Sequence, residues 1–430
     1  MPFRLPSIHW RLISAALLAL AAAACGGGGG SAEAPAKEHE NTAIDTAGRL
    51  ALTEDAAATL RLYDLDGSRT EASMALANVP SAVYASPGGR YALAVQRAQD
   101  TVQIADGGIW QEDHGDHLHD YKSAPSLLAL RINGPQPTHY DDRAGQATFF
   151  MDGRATTTPQ QPSSAVLFSD ASIARGTVLA SLTLASAMHG FAEPNGSHLV
   201  ASYRDPAVTG SPVNQVEIYR RDGAAYSLVQ RLDPLCPGMH GSYTRGNTTV
   251  AGCSDGALLT QPDGAAFAAS KIAAASGIST IAGHARVARF VGIGNTGTPS
   301  TTKFFDIDPA TRTATPISIS GWGEGRLRRA HGFDRNGRYL LVLDDLGTLY
   351  VLEPTASGWT TRKAIAGAVP VMPAAAPFPA FAANGARNEV YLTDPVARQL
   401  VAIDVDKLEV GRRLQLDFKP SYAAWLGINR

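Results

Sequence analysis

Beyond residue 40 the chain alternates short apolar runs with clusters of turn-forming residues, among them Pro87-Gly88-Gly89, Asn195-Gly196, Asn247, Asp263-Gly264 and Asn336-Gly337. No stretch sustains the 3.6-residue period of an amphipathic helix, so the pattern predicts an all-β chain. Composition does not shift along this region, which favours one domain of many short strands over two domains.

A weak internal repeat orders the runs. Met188-His189-Gly190 leads through a turn at Asn195-Gly196 to a run from His198 to Tyr203, and Met239-His240-Gly241 leads through Arg245-Gly246-Asn247 to Thr248–Cys253. Ala330-His331-Gly332 leads in the same way through Arg335-Asn336-Gly337 to Tyr339–Leu343 and then to Gly347–Leu352. Each unit reads as inner strand, turn, second strand, third strand and outer strand, with starts near residues 44, 80, 138, 188, 239, 279, 330 and 379. This is the spacing of a four-stranded propeller blade. The first unit lacks an inner strand, and the stretch Pro420 to Ile428 has no partners of its own. Placing Tyr422 to Gly427 as the inner strand of the first blade closes the ring and removes two sheet edges. The expected fold is a single β-propeller of about eight four-stranded blades over residues 41–430, with seven blades as the alternative count.

The first forty residues belong to a different category. Arg4 and Arg11 precede an apolar run from Leu12 to Ala24, the signature of an export signal over residues 1–24, and the run is short for a retained membrane span. Leu20, Ala22, Ala23 and Ala24 before Cys25 resemble a bacterial lipobox, in which the cysteine becomes the lipidated first residue; the usual leucine three places before the cysteine is here Ala22. Residues 25–40 then read as a lipidated Cys25 followed by a flexible tether, because Gly26 to Gly30 keep the chain mobile. With Cys25 as the lipid anchor, Cys236 and Cys253 remain as an even pair, which in an oxidising compartment suggests a disulfide, with two unrelated buried thiols as the alternative that fits the cytosol better; a hairpin turning at Arg245-Gly246-Asn247 would bring both to one end of a blade.

A net charge of −2, from 37 basic and 39 acidic residues, supplies no basic field for nucleic acid, and a hydrophobic fraction of 44% is that of a chain with a real core. The chemistry is concentrated in one stretch. Glu112 to Tyr121 places three of the eleven histidines within six positions and interleaves them with carboxylates. It falls in the long connection of residues 107–125, between the third and outer strands of the second unit, where a rigid scaffold can present a functional loop. In an extended segment His117 and His119 point to one side, and a turn at Gly115-Asp116 lets His114 fold back toward them. Three imidazoles with a fourth oxygen or water suit Zn²⁺, with Cu²⁺ and Ni²⁺ as chemically competent alternatives. Asp113, Asp116 and Asp120 are candidates for the fourth ligand or for carboxylates that orient the imidazoles. The bland alternative is a solvated polar loop. His39, in Lys37-Glu38-His39-Glu40, is a candidate ligand from a mobile arm, with a hydrated linker as the equal alternative.

His139, His189, His240 and His331 form a second constellation, because each opens an inner strand, and inner strands line a propeller's channel. Asp152, Asp205, Asp255 and Asp344 fall near the ends of second strands. Blade geometry puts these four histidines at the opposite end from the histidine loop, as a candidate second metal site or as hydrogen-bonded packing residues.

These motifs resemble those of the AztD periplasmic zinc chaperones. The resemblance is carried by Asp113-His114-Gly115-Asp116-His117-Leu118-His119, Cys236-Pro237-Gly238-Met239-His240-Gly241, Cys253-Ser254-Asp255-Gly256 and Ala330-His331-Gly332-Phe333-Asp334, and it covers the chain from about residue 38 onward. It implies a propeller that binds zinc at two sites and passes it by direct contact to the solute-binding protein of a zinc ABC transporter. The expected protein is a periplasmic monomer that is not an enzyme, tied to the membrane only through its lipid. This chain departs from the family in the lipid anchor, in Met188 before His189, and in an arm carrying only His39. No haem-attachment pattern, phosphate loop or nucleophile motif is present to favour an enzyme. The rival readings are a propeller metalloenzyme of the lactonase or hydrolase kind, and a surface interaction scaffold that uses no metal.

Overall fold

A computed structural model describes residues 42–207 and 213–430. The export segment, Cys25, the tether and His39 lie outside the described residues.

The described residues form eight four-stranded antiparallel sheets and one two-stranded hairpin. Seven sheets are built from strands in chain order, as the repeat predicts. The second blade, for example, takes Ala82–Ala85, Tyr91–Gln96, Thr101–Asp106 and Ser126–Asn133. The first blade takes Arg49–Glu54, Thr59–Asp64 and Arg69–Ala75, and its inner strand is the C-terminal Pro420–Leu426. That closing pair runs from Arg49 opposite Leu426 to Glu54 opposite Pro420. Thr53 and Ser421 share a hydroxyl hydrogen bond of 2.7 Å across it, and the Trp425 indole donates to the Ala47 carbonyl at 2.9 Å. Gly48 is at φ +83°, and a side chain there would sit 2.5 Å from the Leu426 carbonyl, so the ring closes over a glycine.

The second and third strands carry nearly continuous apolar runs, as in Leu340–Asp344, where every residue is buried. In a propeller both faces of a blade's central strands pack on neighbouring blades, which calls for such runs rather than strict alternation. The core is accordingly divided among clusters between successive blades. One joins Phe150, Leu199, Val216 and Cys253 of blades three to five. Outer strands alternate, as Glu409–Gln415 does, because only one of their faces is covered. Cys236 and Cys253 form a disulfide with Cα atoms 5.0 Å apart, tying the entry of the fifth blade's inner strand to the end of its second strand. The one regular α-helix among the described residues, Asp170–Ala174, begins with Ser169 and Ser172 capping each other.

Candidate metal centres

The connection after Asp106 in the second blade folds into a hairpin of its own, Ile109–Asp113 paired with Leu118–Lys122. Its four-residue tip, His114 to His117, closes with the His114 amide donating to the His117 carbonyl at 2.9 Å, and Asp113 accepts from the Gly115 amide at 2.8 Å. Gly115 sits at φ +92°, a conformation that a β-branched residue would resist. The turn returns His114 over His117, their rings stacked with centroids 4.9 Å apart, while His119 stands two residues on from His117 along the strand. The three imidazoles each offer a nitrogen within 4.8 Å of the others. His117 Nδ1 lies 2.7 Å from Asp116, and His114 Nε2 lies 3.9 Å from Glu112.

The rest of the hairpin fixes this cluster in place. His119 stacks on Tyr121 at 4.5 Å, Tyr121 on Trp110 at 5.0 Å, and the Arg90 guanidinium covers the other face of Trp110 at 3.8 Å. Asp120 points the other way and is buried. It accepts from the Ile44 amide at 2.8 Å and the Gln111 side chain at 2.7 Å, and it pairs with Arg430. Burial pushes its carboxyl up, but these hydrogen bonds outweigh burial and hold it below the ordinary value. Asp120 is thus an anchor for the hairpin, and Asp113 belongs to the turn. Asp116 and Glu112 are the carboxylates beside the imidazoles. Glu112 had no distinguishing sequence signal beyond its place next to Asp113. Thr42 also pairs with this hairpin: its amide donates to the Leu118 carbonyl at 3.1 Å, and its carbonyl accepts from the Asp120 amide at 2.9 Å.

A second cluster lies at the other end of the ring, beyond the length of the six-residue strand Tyr91–Gln96, roughly 20 Å away. His139 Nε2 is 3.1 Å from His189 Nε2, which is 3.0 Å from His240 Nε2. His189 Nδ1 is 3.0 Å from the Asp152 carboxylate and His240 Nδ1 is 2.8 Å from the Ser279 carbonyl. Both acceptors require the proton on Nδ1, which leaves lone pairs on two Nε2 atoms that face each other. Such a contact is repulsive unless a proton or a cation sits between them. Zinc–nitrogen bonds of about 2.0–2.1 Å would put the ligand nitrogens of a tetrahedron roughly 3.3 Å apart, close to the spacing seen. Burial, and then the neighbouring His189 and His240, push His139 down to about 4, so it is neutral at physiological pH. Asp152 also accepts from Arg97 at 2.8 Å; burial raises its carboxyl, but the bonds from His189 and Arg97 hold it low.

His331 does not join them. It is the fourth residue of its inner strand, Arg328–Phe333, whereas His240 opens its strand and His189 precedes Ala192–Asn195. This deeper position, in the seventh blade rather than blades three to five, pairs His331 Nδ1 with Arg328 at 2.7 Å. Burial, and then the Arg328 charge, push it down to about 3. The other carboxylates at strand ends are used locally: Asp205 accepts from the Ala207 amide, Asp255 pairs with Lys271, and Asp344 accepts from the Thr348 amide. The Ser279 carbonyl is a backbone partner, which no side-chain pattern reveals.

No protein-family model matches the chain. In sequence it is 28% identical over 225 residues to the zinc chaperone AztD of Citrobacter koseri, across 51% of this chain and 50% of that protein. The chain thus matches about half the length of that curated relative. In fold it resembles the crystal structure of Citrobacter koseri AztD with a TM-score of 0.73 at 21% identity, covering 89% of this chain and 98% of that one. The apo form of AztD from the same organism gives 0.72 at 20% identity, with the same coverage. The resemblance drawn from the motifs is therefore met by similarity in sequence and, over most of the chain, in fold.

Proposed function

We propose that the protein is an extracytoplasmic zinc carrier, which holds Zn²⁺ at the histidine hairpin and at the channel mouth and surrenders it by direct contact to the solute-binding protein of a zinc ABC transporter. The observation that carries this reading is the convergence of three imidazoles at each end of the ring, with the Nε2 lone pairs of His189 and His240 turned toward each other. Similarity to the zinc chaperone AztD supports both the cargo and the carrier role.

The two clusters suit different tasks. At the mouth, His139, His189 and His240 come from three blades and are oriented from behind by Asp152 and the Ser279 carbonyl, an arrangement that raises ligand basicity and fixes the rings. This site retains metal. At the hairpin tip His114 and His117 of the turn and His119 of the returning strand all belong to one surface hairpin, with Asp116 or Glu112 within reach of the ion as an oxygen ligand. An incoming protein can displace such ligands one at a time, so zinc need not pass through a free-ion state. A signal peptide and lipidation at Cys25 would place the carrier in the periplasm as a membrane-tethered monomer. Asp152, the carboxylate beside the mouth cluster, is committed to His189 and Arg97 rather than placed as a general base, which favours carriage over hydrolysis.

Zinc titration of the mature protein against a His114→Ala/His117→Ala/His119→Ala variant tests the reading. The wild type should bind two equivalents and the variant one. Trp110 fluorescence should respond only in the wild type, through the Trp110–Tyr121–His119 stack. Transfer to the apo solute-binding protein should outrun release to a chelator; equal rates would refute direct transfer.

A further inference from the structure

We infer that a hard divalent cation of the Ca²⁺ class binds at the channel wall between Asp141 of the third blade and Glu193 of the fourth, one pleat beneath the histidines of the mouth. Side chains two apart on a strand share a face, so His139, Asp141 and Arg143 of Pro137–Arg143 all turn toward the fourth blade. There they meet Glu193, on the adjacent inner strand Ala192–Asn195. Glu193 is fully buried, and neither of its carboxylate oxygens has a hydrogen-bond partner; its nearest cation is Arg143, 3.5 Å away. One oxygen of Asp141 is likewise buried and unpartnered. Arg143 is itself held elsewhere, stacked over the Tyr243 ring at 3.6 Å and bonded to the Asp142 carbonyl.

Buried polar groups without partners are uncommon in folded proteins, and buried carboxylates without them are costly. Asp141 and Glu193 set two carboxylates beside the single guanidinium of Arg143, and a divalent cation shared between them would satisfy oxygens that accept no N–H donor. The donors are oxygen only, unlike the imidazoles above them. Oxygen sets select hard cations such as Ca²⁺ or Mn²⁺, while nitrogen sets select zinc. Ca²⁺ takes about six to eight oxygens, so the two carboxylates would supply part of the shell and channel water the remainder. The same inner strands would then carry zinc in one layer and a structural cation in the next.

Calcium titration of chelator-treated protein, read by calorimetry and by thermal melting, tests this. The wild type should take up one equivalent and melt higher with Ca²⁺, and Glu193→Gln and Asp141→Asn should each weaken uptake by about tenfold or more and lose the shift. In the unmutated protein, Tb³⁺ should show tyrosine-sensitised luminescence through Tyr243 that Ca²⁺ displaces, a readout that does not depend on either variant folding. No calcium uptake by the wild type, undisplaced Tb³⁺ luminescence, or uptake unchanged in both variants would overturn the inference. The triple alanine variant of the histidine hairpin should bind Ca²⁺ as the wild type does, so loss of the zinc reading and loss of this one are told apart.

Discussion

At the channel mouth the His189 imidazole is held by Asp152 on one side and faces two further Nε2 atoms on the other. Replacing Asp152 by Asn removes the charge that orients and enriches that ring. Zinc affinity at the mouth should fall by about 10–100-fold while the hairpin site keeps its own, as titration with Trp110 fluorescence beside calorimetry would read. His331 makes a different prediction. Its folded-state value lies at about 3, below the ordinary 6.5, so its neutral form is fully stabilising above pH 6.5 and that contribution is lost as pH falls from 6.5 toward 3. Urea melts at pH 7.5 and 4.5 should show less acid destabilisation for His331→Gln than for the wild type; equal losses would exclude the residue as a source. Residue types and strand positions were legible at this scale, so the histidines of the mouth stood out in the sequence. What separated His331 from its three counterparts was its blade, its depth along the strand and a neighbouring arginine, which a repeat aligned on histidines does not register.

The histidine hairpin is the element in which local sequence and local structure agree most closely. His117 and His119 share a side because strand side chains alternate, and His114 returns because Gly115 accepts φ +92°. Both were readable from ten residues. The role of Asp120 was not, because its partners are Ile44, Gln111 and Arg430, of which two lie far away in the chain. Asp120→Ala should release the hairpin from the first residues of the propeller and from the C-terminus. We expect faster proteolysis within residues 107–125, weaker zinc binding at the hairpin, and a stability loss of about 1–3 kcal/mol, since the Ile44 amide and the Gln111 side chain lose their acceptor. A variant that melts and is cleaved like the wild type would show that the hairpin holds itself.

For the whole molecule, the decisive contact is the C-terminal strand Pro420–Leu426 on Arg49–Glu54. A chain ending at residue 419 should expose the edge of the first blade and lose the cluster around Trp425, Leu50 and Tyr391. It is expected to aggregate or to lose its cooperative melt, whereas removal of residues before Asn41 should leave the melt in place. The sequence by itself determined the all-β class, the eight repeats, the closing strand and the hairpin histidines, because each depends on periodicity, turn chemistry or neighbours within one loop. Only the tertiary structure decided which inner-strand histidines meet, that Asp152 and a Ser279 carbonyl stand behind them, and that Asp141 and Glu193 bury carboxylate oxygens on neighbouring inner strands. Those outcomes depend on how far each strand slides toward the channel and on which blade it belongs to. Strands some fifty residues apart in sequence are brought side by side, and no local pattern encodes the distance between them.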